Sequence, residues 1–143
     1  MQRRARGVTL IELLLALTVL GVMISIAIPR TSAVVDRLRV RGAAQDVMLG
    51  LASARAAASR RSDFTSFIVD PRAGRVRVVC RGETLFERDI ARTRGVRLEA
   101  TRESITYAPT GMGWGAANTT VVVSRGAHTD TIVTSRLGRV RRS

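Results

Sequence analysis

One carboxylate, Glu12, stands inside the run Val8 to Ile28, which holds no other charge, and just ahead of the run come Arg3, Arg4, Arg6 and Gly7. As a helix these roughly 21 residues cover about 31 Å at 1.5 Å per residue, the thickness of a bilayer hydrocarbon core. An ionised carboxylate there costs about 2.5–3.5 kcal/mol even on lenient insertion scales, so it calls for a partner or a purpose. Arginines before the span hold that end on the cytoplasmic side. A cut between Gly7 and Val8 would leave a free α-amino group four residues before Glu12. Such an ammonium and a carboxylate can neutralise each other at low dielectric. A Glu that snorkels to the headgroups is the plainer alternative.

Other side chains offer less chemistry. His128 is the sole histidine and lies beside Gly126 in an expected turn, away from Cys80 and from any acid cluster at ligand spacing, so it reads as a surface residue. The loop Gly111-Met112-Gly113-Trp114-Gly115 lacks the following Lys-Ser or Lys-Thr of a phosphate cradle and opens no helix. Trp114 is expected to fold onto its own sheet rather than to stand exposed as a contact residue. The end of the chain carries more. Arg136, Arg139, Arg141 and Arg142 fall close together, and Gly138 supplies a bend that could bring several guanidinium groups onto one phosphate backbone. A solvated basic end is the bland reading of the same residues.

The whole chain is basic in one particular way. It has no lysine, so its 24 basic residues are all arginine, set against 11 acids in 143 residues for a net charge of +13. Removing residues 1–7 takes away three arginines and no acid and leaves +10. Such a surface favours polyanions, acidic proteins or anionic headgroups. Cys80 is the one cysteine, so no intrachain disulfide forms. In Arg75-Val76-Arg77-Val78-Val79-Cys80-Arg81 the alternation puts Val76, Val78 and Cys80 on one face, which makes Cys80 a small core residue.

The elements that must position these groups follow from periodicity. Pro29 interrupts the apolar helix just past its end and is expected to kink it. Beyond it Val40, Ala44, Val47, Met48, Leu51, Ala54 and Ala58 recur at helical spacing, with Arg37, Arg41, Asp46, Arg55 and Arg60 on other faces, to about Ser62. From Phe64 onward short alternating runs replace that period. Strands are expected at Phe64–Val69, Arg75–Cys80, Thr84–Arg88, Val96–Ala100, Ser104–Tyr107, Thr119–Ser124 and Thr129–Thr134, with a long loop from Pro109 to Asn118. The layout is α+β: one long N-terminal helix packed on a small antiparallel sheet. The expected divisions are a leader at 1–7, a membrane span at 8–29, an amphipathic continuation at 30–62 and a β domain at 63–143.

A secretory signal peptide shares the basic start and apolar core. However, Ile28, Pro29 and Arg30 stand where small residues would precede its cleavage, and Glu12 has no place in its apolar region. An ordinary single-span anchor does not explain Gly7 and Glu12 together. Gly7, then Val8-Thr9-Leu10-Ile11-Glu12-Leu13-Leu14, resembles the class III prepilin signal of type IV pilins and type II secretion pseudopilins. The resemblance implies that a membrane peptidase cuts after Gly7 and methylates Val8, where the family usually has Phe or Met. It also implies that Glu12 sets register in a filament and that Pro29 occupies the position of the family's helix proline. Leu51-Ala52-Ser53-Ala54-Arg55, Ile105 to Gly111 and Ile132 to Arg141 look like the GspH/FimT-type minor pseudopilins.

That branch implies a non-enzymatic subunit without cofactor or metal, single-pass in the bacterial inner membrane with its C-terminal domain periplasmic. Its partners would be other major and minor pseudopilins, the prepilin peptidase/methyltransferase and secreted cargo. The competing reading is a type IV pilus component that binds double-stranded DNA in natural transformation. Some FimT-type proteins are thought to do so through a Gly-Arg-x-Arg tail, which Gly138-Arg139-Val140-Arg141 matches.

Overall fold

The computed structural model describes residues 7–115 and 117–143, apart from the side chains of residues 27–30. The leader arginines and the kink expected at Pro29 therefore lie outside the described residues. Helix α1 (Leu10–Arg61) begins two residues into the apolar run and ends one residue short of the expected boundary. The chain divides into two compact units, residues 1–35 and residues 36–143.

In the first unit Thr9 caps the helix. Its hydroxyl accepts from the Glu12 N–H at 3.3 Å, and its carbonyl accepts from the Leu13 N–H at 3.2 Å. Thr9 with Glu12 three residues on is the capping-box pairing of residue types, and an acid in the first turn suits the positive helix end. Every large apolar residue from Val8 to Ile26 is exposed. The hydroxyls of Thr18 and Ser25 bond to the carbonyls of Leu15 and Val22, each at 2.8 Å, so neither is left unsatisfied in an apolar medium.

In the second unit the expected strands are present, with ends shifted by a residue or so, but they build two sheets where one small sheet was expected. Strands β1 (Thr65–Asp70), β2 (Arg75–Cys80), β3 (Glu83–Asp89), β5 (Ser104–Tyr107) and β6 (Gly113–Trp114) form one, in the order β3-β2-β1-β5-β6. Strands β4 (Arg97–Ala100), β7 (Thr119–Arg125), β8 (His128–Thr134) and β9 (Val140–Arg142) form the other, in that order. Strand β4 pairs with β7, across the sequence, and the chain then crosses to β5 in the first sheet. The short helix α2 (Ile90–Arg94) was not expected. Five residues are too few to show a period, and its signals are local: Asp89 accepts from the Arg92 N–H at one end, and Gly95 turns left-handed at φ +63° at the other.

Both sheets share one core with α1. Val40, Ala44, Val47, Leu51, Ala54 and Ala58 are buried there, as the helical spacing requires, against Phe67, Val76 and Val78 of one sheet and Leu98, Val121 and Ile132 of the other. Cys80 is buried and free, at the position the alternation assigns. Gly50 lets the Phe67 ring lie against the helix, since a Cβ there would come within 2.6 Å of it. Asp46 departs from the sequence reading. It is 6% exposed rather than on the outer face, and it bridges Arg88 at 3.3 Å and Arg94 at 3.0 Å. Gly42, one turn earlier, makes room for Arg94, whose Nη1 would lie 2.9 Å from a Cβ there.

Candidate membrane segment and cationic cleft

Gly7, Val8 and Thr9 precede α1 in irregular backbone, and Gly7 and Val8 are exposed. Glu12 is also exposed, and no ion pair holds it among the described residues. In hydrocarbon that exposed carboxylate would need a counter-charge.

At the other end of the sequence, the arginine cluster divides. Arg142 binds Asp130 through Nη2 at 2.5 Å and through Nε to both carboxylate oxygens at 2.9 and 2.7 Å. Asp130 is buried, and its hydrogen bond raises the Arg142 pKa despite the opposing effect of burial. Arg142 is thus a structural residue that pins β9 to β8. Arg136, Arg139 and Arg141 are exposed and form no ion pair among the described residues. Part of this tail is an edge strand, β9, with Val140 half-buried against the core.

Alongside β9 runs a cleft of about 650 Å³. Ala52, Arg55, Ala56 and Ser59 of α1 form one wall, Arg139, Val140 and Arg141 another, and Tyr107 of β5 also lines it. Two glycines with left-handed backbone hold Arg55 in place. Gly138 has φ +72° and Gly111 φ +76°, and a Cβ on either would lie within 3.5 Å of the Arg55 side chain. Arg55 Nη1 donates to the Gly138 carbonyl at 3.4 Å. Burial pushes the Tyr107 phenol up from its ordinary value, and the Arg55 charge pulls the other way. Sequence reasoning placed Arg55 among the solvent-facing residues of the helix and had no signal that the fold sets it beside residues more than eighty positions later.

Two further side chains lie elsewhere than expected. His128 is half-buried as the first residue of β8, opposite Arg125, and not in a turn. Trp114 belongs to β6 and is 63% exposed, with its ring edge-on to Phe64 at 5.2 Å between centroids. Strand parity is the reason. Trp114 pairs with Thr106, whose neighbours Ile105 and Tyr107 point into the core, so the indole faces outward. No set of three metal-ligating side chains gathers among the described residues.

No curated protein matches the chain. The family model described as the prokaryotic N-terminal methylation motif matches residues 2–28. The type IV minor pilin FimU of Pseudomonas aeruginosa (strain PAO1) is 17% identical, with a TM-score of 0.63 over 75% of this chain and 90% of that one. A second crystal form of FimU gives 14% identity and a TM-score of 0.59, over 72% of this chain and 91% of that one. The minor pseudopilin EpsH from the Type 2 Secretion System of Vibrio cholerae is 10% identical, with a TM-score of 0.60 over 73% of this chain and 96% of that one. At such identities the likeness is one of fold. The chain carries the prokaryotic N-terminal methylation motif and, behind it, the pilin-like fold of minor pilins and pseudopilins.

Proposed function

We propose that this chain is a minor pseudopilin of a type II secretion system, a structural subunit that joins a periplasmic pseudopilus at or near its tip and assists protein secretion. The observation that carries the reading is the pairing of the Gly7-Val8-Glu12 signal, on an exposed apolar helix, with a pilin-like domain. The subunit acts by shape and contact, not by catalysis. Residues 1–7 are the leader that the prepilin peptidase removes before methylating Val8, and residues 8–29 cross the inner membrane. Residues 30–62 continue the helix into the periplasm, where residues 63–143 meet other pseudopilins and cargo. In the filament Glu12 neutralises a neighbour's α-amino group and so fixes register, because neither charge is tolerated alone in hydrocarbon. The intact mass of protein extracted from membranes tests this. A mature chain starting at Val8 with one added methyl group is expected, and a mass that retains residues 1–7, or a start beyond Ile28, overturns the assignment.

The unpaired state of Arg136, Arg139 and Arg141 favours a second reading, a type IV pilus minor pilin that binds double-stranded DNA for uptake. Arg142, already paired with Asp130, is the least available of the four tail arginines for that role. With three phosphate contacts, log affinity falls against log salt with a slope of about −2.7, and replacing Arg139 and Arg141 by Gln flattens it by about 2. Equal weakening by Arg72→Gln with Arg97→Gln would mean general basicity instead.

A further inference from the structure

The bonding pattern of β9 leaves one side of the strand open. Thr131 and Ser143 exchange both backbone hydrogen bonds, at 3.1 and 2.9 Å, and the Ser135 N–H donates to the Arg139 carbonyl at 2.9 Å. In an antiparallel ladder such pairs alternate, so Arg141, opposite Val133, also faces β8. The N–H and C=O groups of Val140, between Arg139 and Arg141, therefore point away from β8. No hydrogen bond to them occurs among the described residues. Strand β9 is the last in its sheet, and Val140 lines the cleft. Across from this edge, Ala52, Ala56 and Ser59 present short side chains, which leaves the recess open.

The charge of the recess has one sign. Arg55, Arg139 and Arg141 line it, no acid does, and none of the three is in an ion pair among the described residues, although eight such pairs occur elsewhere. We propose that this cleft is a docking groove for an extended acidic segment of a partner protein, which adds to the β9 edge as a further strand and places its carboxylates on Arg55, Arg139 and Arg141. Main-chain bonds to Val140 supply affinity and the three guanidinium groups supply selection, the division of labour usual in strand addition. Exposed edge groups of this kind are a template for pairing. A second copy of the chain is a poor occupant, because two molecules of net charge +10 after loss of residues 1–7 repel. A DNA duplex meets the exposed arginines but offers no extended peptide backbone to pair with the Val140 edge. The groove does not depend on filament incorporation, so its test can fail while the pseudopilin reading stands.

The full chain in detergent micelles is titrated into a fluorescein-labelled peptide of alternating Val and Glu, and anisotropy reports binding. Three controls accompany it: the same peptide with Gln for Glu, the Val-Glu peptide N-methylated at alternate residues, and a short DNA duplex as competitor. Binding of the Val-Glu peptide is expected to weaken about tenfold for Arg55→Gln, as loss of one charge-assisted contact implies, and by more than that for Arg139→Gln with Arg141→Gln and for the Gln peptide, which lose several. The N-methylated peptide is expected not to bind, since it cannot form one row of ladder bonds. Circular dichroism of each variant, unchanged from the parent, assigns the loss to the groove. Equal binding of the N-methylated peptide, or equal weakening by Arg72→Gln with Arg97→Gln, overturns the proposal in favour of charge alone. A duplex that binds in an Arg55-dependent way while the peptide does not makes the cleft a nucleic-acid site and overturns it equally.

Discussion

Replacing Asp46 by Ala is expected to be a costly change in the globular unit. The carboxylate is buried and accepts from Arg88 at 3.3 Å and Arg94 at 3.0 Å, tying α1 to β3 and α2. Hydrogen bonds to a charged partner contribute about 1.5–3 kcal/mol each. The Arg88 bond is the longer of the two, and both arginine side chains are more than a third exposed, at 40% and 37%, so water recovers part of what they lose. A net loss of about 2–3 kcal/mol follows, at or below the lower end of the roughly 3–5 kcal/mol for breaking a fully buried pair. In a domain of this size that lowers the melting midpoint by about 8–18 °C. Asp36, which pairs with Arg125 at 2.5 Å, is the internal control. That pair is only partly buried, so Asp36→Ala is expected to cost about 1 kcal/mol or less. Thermal unfolding of the full chain in micelles, followed by circular dichroism, reads both. If Asp46→Ala melts no lower than Asp36→Ala, the argument from burial is wrong.

Three further outcomes are expected. Glu12→Ala inserts and is cut normally but no longer co-purifies with partner pilins, because a neighbour's ammonium loses its counter-charge; undiminished co-purification would remove the register role. Burial raises the Tyr107 pKa above its unfolded value of 10.0, so its contribution to stability is complete below that pH and disappears as pH rises through the folded value. Urea midpoints between about pH 9 and 12 should show this alkaline loss in the parent and a smaller one in Tyr107→Phe. Cys80, buried and free, should resist a thiol reagent in the native chain and react at once in denaturant; rapid native labelling would contradict its place in the core.

Local and periodic signals reached the larger part of this protein. The apolar run from Val8 placed the start of α1 to within two residues, since a long apolar helix needs only local composition. The three- and four-residue spacing from Val40 to Ala58 chose the buried face of the helix, and alternation chose that of β2, including Cys80. What the sequence could not carry was any feature made by residues far apart in it. Nothing near Asp46 announces Arg88 and Arg94, and a carboxylate among arginines at helical spacing looks solvated until β3 and α2 close over it. The division into two sheets depends on β4 pairing with β7 rather than with its neighbour in sequence. The run of arginines at the end of the chain reads as one basic tail. Tertiary structure alone spends Arg142 on Asp130, leaves Arg139 and Arg141 without an ion pair among the described residues, and brings Arg55 to join them in one cleft, because a guanidinium's role depends on which carboxylate the fold places beside it.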